Sequence, residues 1–450
     1  LPPDPQANPA AAISAGRFTF AGDERAAGWP PDWTGGDAPL LWRYNLHYLD
    51  WLWALPPAER LDAALDWAER HPPAPSAVGW APYPTSLRLE NLCLLAAESG
   101  AAAAALWPTI WRQAEHLSRR LEYHLLGNHL LENGIALAFV GCCFAGPDAD
   151  RWLETGLGIL REQLPEQVLP DGMHFERSPM YQVRLVHALA MLANAGHEQV
   201  RPLVSEPLGR MAAALATVCH PDGQIAILND AAFGVYPEPG AVLAFTAAVL
   251  GDRPLPPVPR HLPNAGYFTG RGPGGDAVIC DAGPLGPDYL PGHAHGDIFS
   301  FELSLGGFSL SGWHDGFRHL PGAPIHQRRF RWHDAGVLAV HDEVTASAPV
   351  TAAARLHLHP ECHVVEAGDR HVKAVCGDVP FTVAVGSGPA PRITEGWYCP
   401  RFGVRQRSHV IVLEDHGRSV GFTFAVARGH DTAFTPDGRS LVAGGRTFVA

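Results

Sequence analysis

The chain has 450 residues, 46% of them hydrophobic and 18% charged, with a formal net charge of -13. That length suits two or three domains rather than one small core. The acidic balance excludes the basic field of a duplex nucleic-acid binder, and no uninterrupted apolar run reaches the length of a membrane span.

In chain order, residues 1–40 are rich in Ala, Pro and Gly and read as an irregular arm. The opening LPPDPQANPA has neither the basic nor the apolar region of a leader peptide, so a leader is absent or already removed. From 41 to 255 the pattern is helical. LWRYNLHYLDWLWAL, SLRLENLCLLAAE, ALWPTIWRQAEHLSRRLEYHLL, NGIALAFVGCCF, RWLETGLGILREQLPEQ, SPMYQVRLVHALAMLANA and EPLGRMAAALATVC each repeat apolar residues three and four apart. Short links without intervening strands predict helical hairpins closing into an (α/α) toroid. The run GDRPLPPVPRHLPNAG at 251–266 marks a boundary. From 256 to 450 come short segments rich in β-branched and aromatic residues, among them DAVICDAG, GVLAVHDEV, ARLHLHP, RQRSHVIVLED and SVGFTFAVA. They predict an antiparallel β-sandwich. The expected fold class is α+β and multidomain: an N-terminal (α/α) toroid followed by an antiparallel β-sandwich. Eight cysteines without CxxC spacing make neither a disulfide scaffold nor a zinc cluster.

Four polar clusters interrupt the helical half. They are Arg88 and Asn91 in WAPYPTSLRLENL; Asn128, His129, Glu132 and Asn133 in LLGNHLLENGIAL; Glu176, Tyr181 and Arg184 in DGMHFERSPMYQVRLVH; and Asn229 and Asp230 in QIAILND. Buried polar groups cost free energy unless partnered. Each cluster therefore has an ordinary structural reading: Arg88 rimming a surface, His129 and Glu132 as a satisfied core pair, Tyr181 as packing, Asn128 as a helix cap. Together they also make a set suited to one cofactor-free reaction, β-elimination at a uronic acid. That reaction needs a group that neutralises the carboxylate, a base for the C5 proton and an acid for the leaving oxygen. Asn, His, Tyr and Arg supply these functions.

YNLHYLDW, WAPYPTSLRLEN, GNHLLENGIAL, DGMHFERSPMY and PGHAHGDIFSFEL, in this order, resemble the motifs of the heparinase II/III superfamily of polysaccharide lyases, most nearly its bacterial members found with exopolysaccharide genes. The resemblance covers most of the chain. It implies an active cleft between toroid and sandwich, with Asn128 as neutraliser, His129 and Tyr181 as base and acid, and Glu132 beside His129. Arg88, Asn91, Glu176, Arg184, Asp230 and His293 are expected to meet the substrate. It also implies a periplasmic or secreted protein whose partner is an acidic polysaccharide or oligosaccharide; the sequence sets no oligomeric state.

Many relatives hold zinc in the sandwich. His295 matches the first ligand, but Trp313 and Ala335 stand at the other two ligand registers, so the metal site is expected to be damaged or absent, with no cofactor required. A zinc ion would need a shifted set, His295 with Asp315 and His333. Two other functions stay open: a non-catalytic glycan-binding or assembly protein on the same fold, and a glycoside hydrolase using two of Glu132, Glu176 and Asp230.

Overall fold

Helices fill the first half of the chain and strands the second. The computed structural model describes residues 8–449 except 75–76, 252, 254, 272–276, 305–308, 315–316, 318, 334–336, 430–431 and 436–439; for 304, 309–314, 332–333 and 449 it describes the backbone. The helices are α1 (Ala10–Ser14), α2 (Leu40–Tyr48), α3 (Pro57–Arg70), α4 (Pro82–Ser99), α5 (Trp107–Ser118), α6 (Gly127–Cys143), α7 (Pro147–Gln167), α8 (Pro179–Asn194), α9 (Val200–Thr217) and α10 (Pro239–Leu250). Several open with Pro in the first turn, where the missing N–H costs no hydrogen bond.

The helix α6 is buried on nearly every face, as expected of a helix surrounded by others. It lies against α7 so closely that a Cβ on Gly156 would meet the Ala138 backbone nitrogen at 2.5 Å. This packing forms the (α/α) toroid, whose core runs from Ile13 to Ile279. By length and composition alone, Pro82–Ser118 could cross a membrane. It is instead α4, a 3-10 segment and α5 in succession, and α4 buries Arg88, Glu90 and Asn91 in the core.

The strands are β1 (Arg17–Phe20), β2 (Asp23–Ala26), β3 (His261–Leu262), β4 (Tyr267–Arg271), β5 (Ala277–Asp281), β6 (Phe301–Ser304), β7 (Ser309–His314), β8 (Ile325–His333), β9 (Val337–His357), β10 (Cys362–Gly368), β11 (His371–Cys376), β12 (Val379–Ser387), β13 (Arg392–Arg401), β14 (Val404–Arg428), β15 (Thr432–Phe434), β16 (Ser440–Ala443) and β17 (Arg446–Val449). A four-stranded sheet, β3-β4-β5-β6, adjoins the toroid core. An eight-stranded sheet follows the order β10-β11-β12-β14-β9-β8-β7, with β13 on β14, and β15 to β17 form a third sheet. All strand pairings are antiparallel. Val278 and Cys280 of β5 pack with Phe330, Phe422 and Phe424 of the large sheet, which is the sandwich core.

Four details differ from the sequence reading. The arm is not irregular throughout: it carries α1 and the β1–β2 hairpin, and it buries Phe18, Phe20 and Trp33 in the toroid core. The predicted first helix stops at Leu49, whose φ is 66°, and continues as a 3-10 segment. The helices α3 and α10 went unread. GVLAVHDEV and ARLHLHP belong to one strand, β9, as RQRSHVIVLED and SVGFTFAVA belong to β14. The β9–β14 ladder shifts register between Gly417 and Ser419, where its partner jumps from Val350 to Thr345. Pro349 lies in that gap, where no ladder donor is required.

Candidate active site

The site is built where chain turns of left-handed backbone meet. Leu126 and Gly127, before α6, have φ of 59° and 55°; Arg177, before α8, 58°; Asn229, 55°. At Gly127 a Cβ would lie 2.4 Å from both Glu176 Oε1 and Leu290. Only glycine lets the Glu176 carboxylate reach the start of α6.

Glu176 is buried and accepts from the Asn128 backbone N–H at 2.9 Å and from Asn128 Nδ2 at 2.9 and 3.2 Å. The same Nδ2 lies 3.4 Å from His293 Nε2. Asn128 Oδ1 is buried with no partner among the described residues. The amide N–H groups expected to meet a uronate are therefore engaged, and the carbonyl oxygen is what Asn128 leaves free.

His293 comes from the loop before β6. Its Nδ1 lies 2.8 Å from Asp230 Oδ2, and its ring centroid lies 4.2 Å from that of Tyr181. Burial works against the imidazolium, but the Asp230 hydrogen bond and the charges of Glu176 and Asp230 outweigh it and raise the pKa. Tyr181 starts α8 behind the Ser178 cap. Burial, with the negative groups around it, pushes its phenol far up, so it keeps its proton at neutral pH. Of the sequence-predicted residues, Asn128, Glu176, Tyr181, Asp230 and His293 meet here.

His129 lies on the next stretch of the same wall. Its ring is 4.4 Å from Tyr83, and its Nδ1 is 3.1 Å from Glu122 Oε1. Glu132, expected to pair with His129, is bonded to Arg184 instead. The orienting carboxylate is Glu122, which also accepts from Asn133 Nδ2 at 2.9 Å. Glu122 was missed because LSRRLEYHLL reads as continuous helix, whereas α5 stops at Ser118. Tyr83, with its ring against His129, and Tyr236, with its ring centroid 6.5 Å from that of Tyr181, were also missed. Tyr83 lies in the motif WAPYPTSLRLEN, whereas Tyr236 lies in none of the motif strings.

Three expected substrate contacts are instead structural. Arg88 is fully buried, with its guanidinium 4.0 Å over the Trp67 ring and donating to Gln113 Oε1 at 2.7 Å and the His47 carbonyl at 2.9 Å. Burial pulls its pKa down. Asn91 is spent on the Tyr48 and Leu87 carbonyls, Asp50 and Trp53. Arg184 is clasped by Glu132 at 2.8 Å and Glu90 at 2.9 Å, all three buried. Arg184 is thus ion-paired with two carboxylates, whereas Arg88 is held by neutral acceptors and the Trp67 ring, with no carboxylate partner among the described residues.

His295 is exposed, and its backbone N–H donates to Asn229 Oδ1 at 3.3 Å. Asp315 and the His333 side chain lie outside the described residues. Among the described residues no three His, Cys, Asp or Glu side chains converge on a metal position. Trp313 and Ala335, at the expected ligand registers, carry no ligating atom, so the unshifted donor set does not fit zinc.

Two family models match the chain: the heparinase II/III N-terminus over 64–235, and the heparinase II/III-like C-terminal region over 254–310 and 308–433. The chain belongs to the heparinase II/III polysaccharide-lyase superfamily. A heparin-sulfate lyase of Pedobacter heparinus is 30% identical over 223 residues, 44% of this chain and 32% of that relative, so the match spans about a third of the relative's length. Among solved structures, a heparinase III shares the fold at TM-score 0.76 and 15% identity, over 99% of this chain and 90% of its own. The heparan sulfate lyase HepC of Pedobacter heparinus shares it at TM-score 0.60 and 18% identity, over 98% and 88%. The superfamily fold, a helical toroid followed by an antiparallel sandwich, is the one described above.

Proposed function

We propose that the chain is a polysaccharide lyase that cleaves an acidic, uronate-containing polysaccharide, a bacterial exopolysaccharide in the favoured reading, by β-elimination. The observation that carries this is the Tyr181–His293 ring pair, oriented by Asp230 and facing Asn128. The relatives' names, a heparin-sulfate lyase and a heparan sulfate lyase, name substrates that are likewise acidic polysaccharides, and this supports the substrate class.

In this reading Asp230 holds the proton of His293 on Nδ1 and leaves Nε2 as the base. Nε2 takes the C5 proton of the uronate. The electron pair forms the C4–C5 double bond as the bond from C4 to the glycosidic oxygen breaks, and Tyr181 gives its phenolic proton to that oxygen. Asn128 Oδ1 accepts a hydrogen bond from a hydroxyl group of the bound sugar, satisfying an acceptor that otherwise stays buried without a described partner. The resting state returns when the proton on His293 passes back to Tyr181. His129, oriented by Glu122, contacts the sugar beside the reacting residue. No step involves a metal.

A glycoside hydrolase needs two carboxyl groups open to the substrate. Glu132 is paired with Arg184, Glu176 is bonded to Asn128, and Asp230 to His293, which counts against that reading. The deciding experiment is a panel of uronate polymers, exopolysaccharides and heparan sulfate included, followed by ultraviolet absorbance. An unsaturated product that is lost in His293→Ala supports the proposal. New reducing ends without absorbance point to hydrolysis, and binding without cleavage to a glycan-binding protein.

A further inference from the structure

A second cavity lies beside the candidate site and has no part in the chemistry above. It measures about 450 Å³, within the range of small-ligand clefts. Tyr44 of α2, Trp80 in the 3-10 turn before α4, Pro82 at the start of α4, and Arg120, Leu121 and His124 of the α5–α6 loop line it. In a chain of net charge -13, no Asp or Glu among the described residues lines it. Arg119 is tied to Glu115, whereas Arg120 is exposed and enters no ion pair with a described residue.

The cavity and the candidate site share their walls. Pro82 lines the cavity, and the next residue, Tyr83, packs on His129. Leu121 lines it, and the next residue, Glu122, orients His129. Tyr44 joins Tyr48 and Tyr83 in one aromatic cluster. A polymer lying over Tyr181, His293 and the His129–Tyr83 ring pair would reach the cavity next.

We propose that this cavity is an outlying subsite that takes an acidic sugar residue of the same polymer, its carboxylate toward Arg120 and His124 and its ring against Tyr44. The proposal rests on the polysaccharide-lyase reading and adds where the chain is held away from the breaking bond. An arginine offers a carboxylate a planar, two-pronged donor. A contact remote from the reacting atoms strengthens binding without touching the chemical step.

The test uses the full chain and uronic acid oligosaccharides graded in length from the disaccharide upward. Arg120→Ala should raise KM about fivefold on chains long enough to reach the cavity, as expected for one partly exposed charge pair, with kcat held. The effect should fade on the shortest oligosaccharide that is cleaved, and Arg120→Lys should recover part of it. A KM shift equal at all lengths, or no shift, overturns the subsite while leaving the lyase reading intact. If the unaltered chain cleaves nothing, the lyase reading fails, and calorimetric titration with the same oligosaccharides decides the subsite separately. About fivefold weaker binding of long chains by Arg120→Ala supports it, and equal or undetectable binding overturns it.

Discussion

Two polar clusters sit inside the same apolar toroid and differ in one respect. Around Arg184, every charge has an opposite charge within 2.9 Å and nothing faces solvent. Around His293, the imidazole keeps partial exposure, Asn128 Oδ1 has no described partner and the Tyr181 ring lies alongside. The first arrangement is a closed fastening between α4, α6 and α8. The second is open toward a ligand. Polar residues on buried helices therefore divide by what remains unsatisfied, not by residue type: Arg88 and Arg184 are fastenings, while Asn128 and Tyr181 are available for chemistry.

The sharpest break of this comparison is Arg184→Met. It leaves Glu90 and Glu132 buried without a cation, and the stability should fall by about 3–5 kcal/mol, read from denaturant unfolding. Burial works to raise both carboxyls, so without Arg184 they should fold protonated. Groups with raised folded pKa values stabilise below their unfolded pKa and lose that contribution as pH rises. The deficit of Arg184→Met should accordingly shrink as the buffer is made acidic. A stability loss independent of pH would show that the carboxylates are not what the arginine holds.

On the open side, Tyr181→Phe should lower kcat by ~10²-fold or more, the lower end for loss of a general acid, with the melting curve nearly unchanged. Equal turnover would remove Tyr181 from the reaction. Glu122→Gln frees the His129 ring without touching His293, and should reduce kcat/KM about tenfold, mostly through KM. A loss as deep as that of Tyr181→Phe would make His129 the base.

The smallest effect concerns pH. With His293 as base, activity requires its neutral form, so the rate should rise with pH through its raised pKa. Asp230→Asn removes the hydrogen bond and charge that favour the imidazolium, so this limb should move to lower pH. An unmoved limb would assign it to another group.

The site was only partly legible from sequence. GNHLLEN and ERSPMY pointed to Asn128 and Tyr181 because a polar residue in an apolar run needs a partner or a task. His293 was placed with the substrate contacts, because nothing local in PGHAHGD says that its ring meets Asp230 from 63 residues away. Glu122 was hidden inside an assumed helix, since a left-handed residue at Leu126 leaves no trace in hydrophobic spacing.

Periodicity by itself determined the two halves and their classes, because spacing of three and four, or of two, is set by the backbone geometry of helix and strand. The motif strings determined the family. Tertiary structure alone decided which polar residues are fastenings. Arg88 and Arg184 carry the same charge as an arginine in a cleft, and only the packing of Trp67 and Gln113 around the first, and of Glu90 and Glu132 around the second, shows that neither guanidinium faces a ligand.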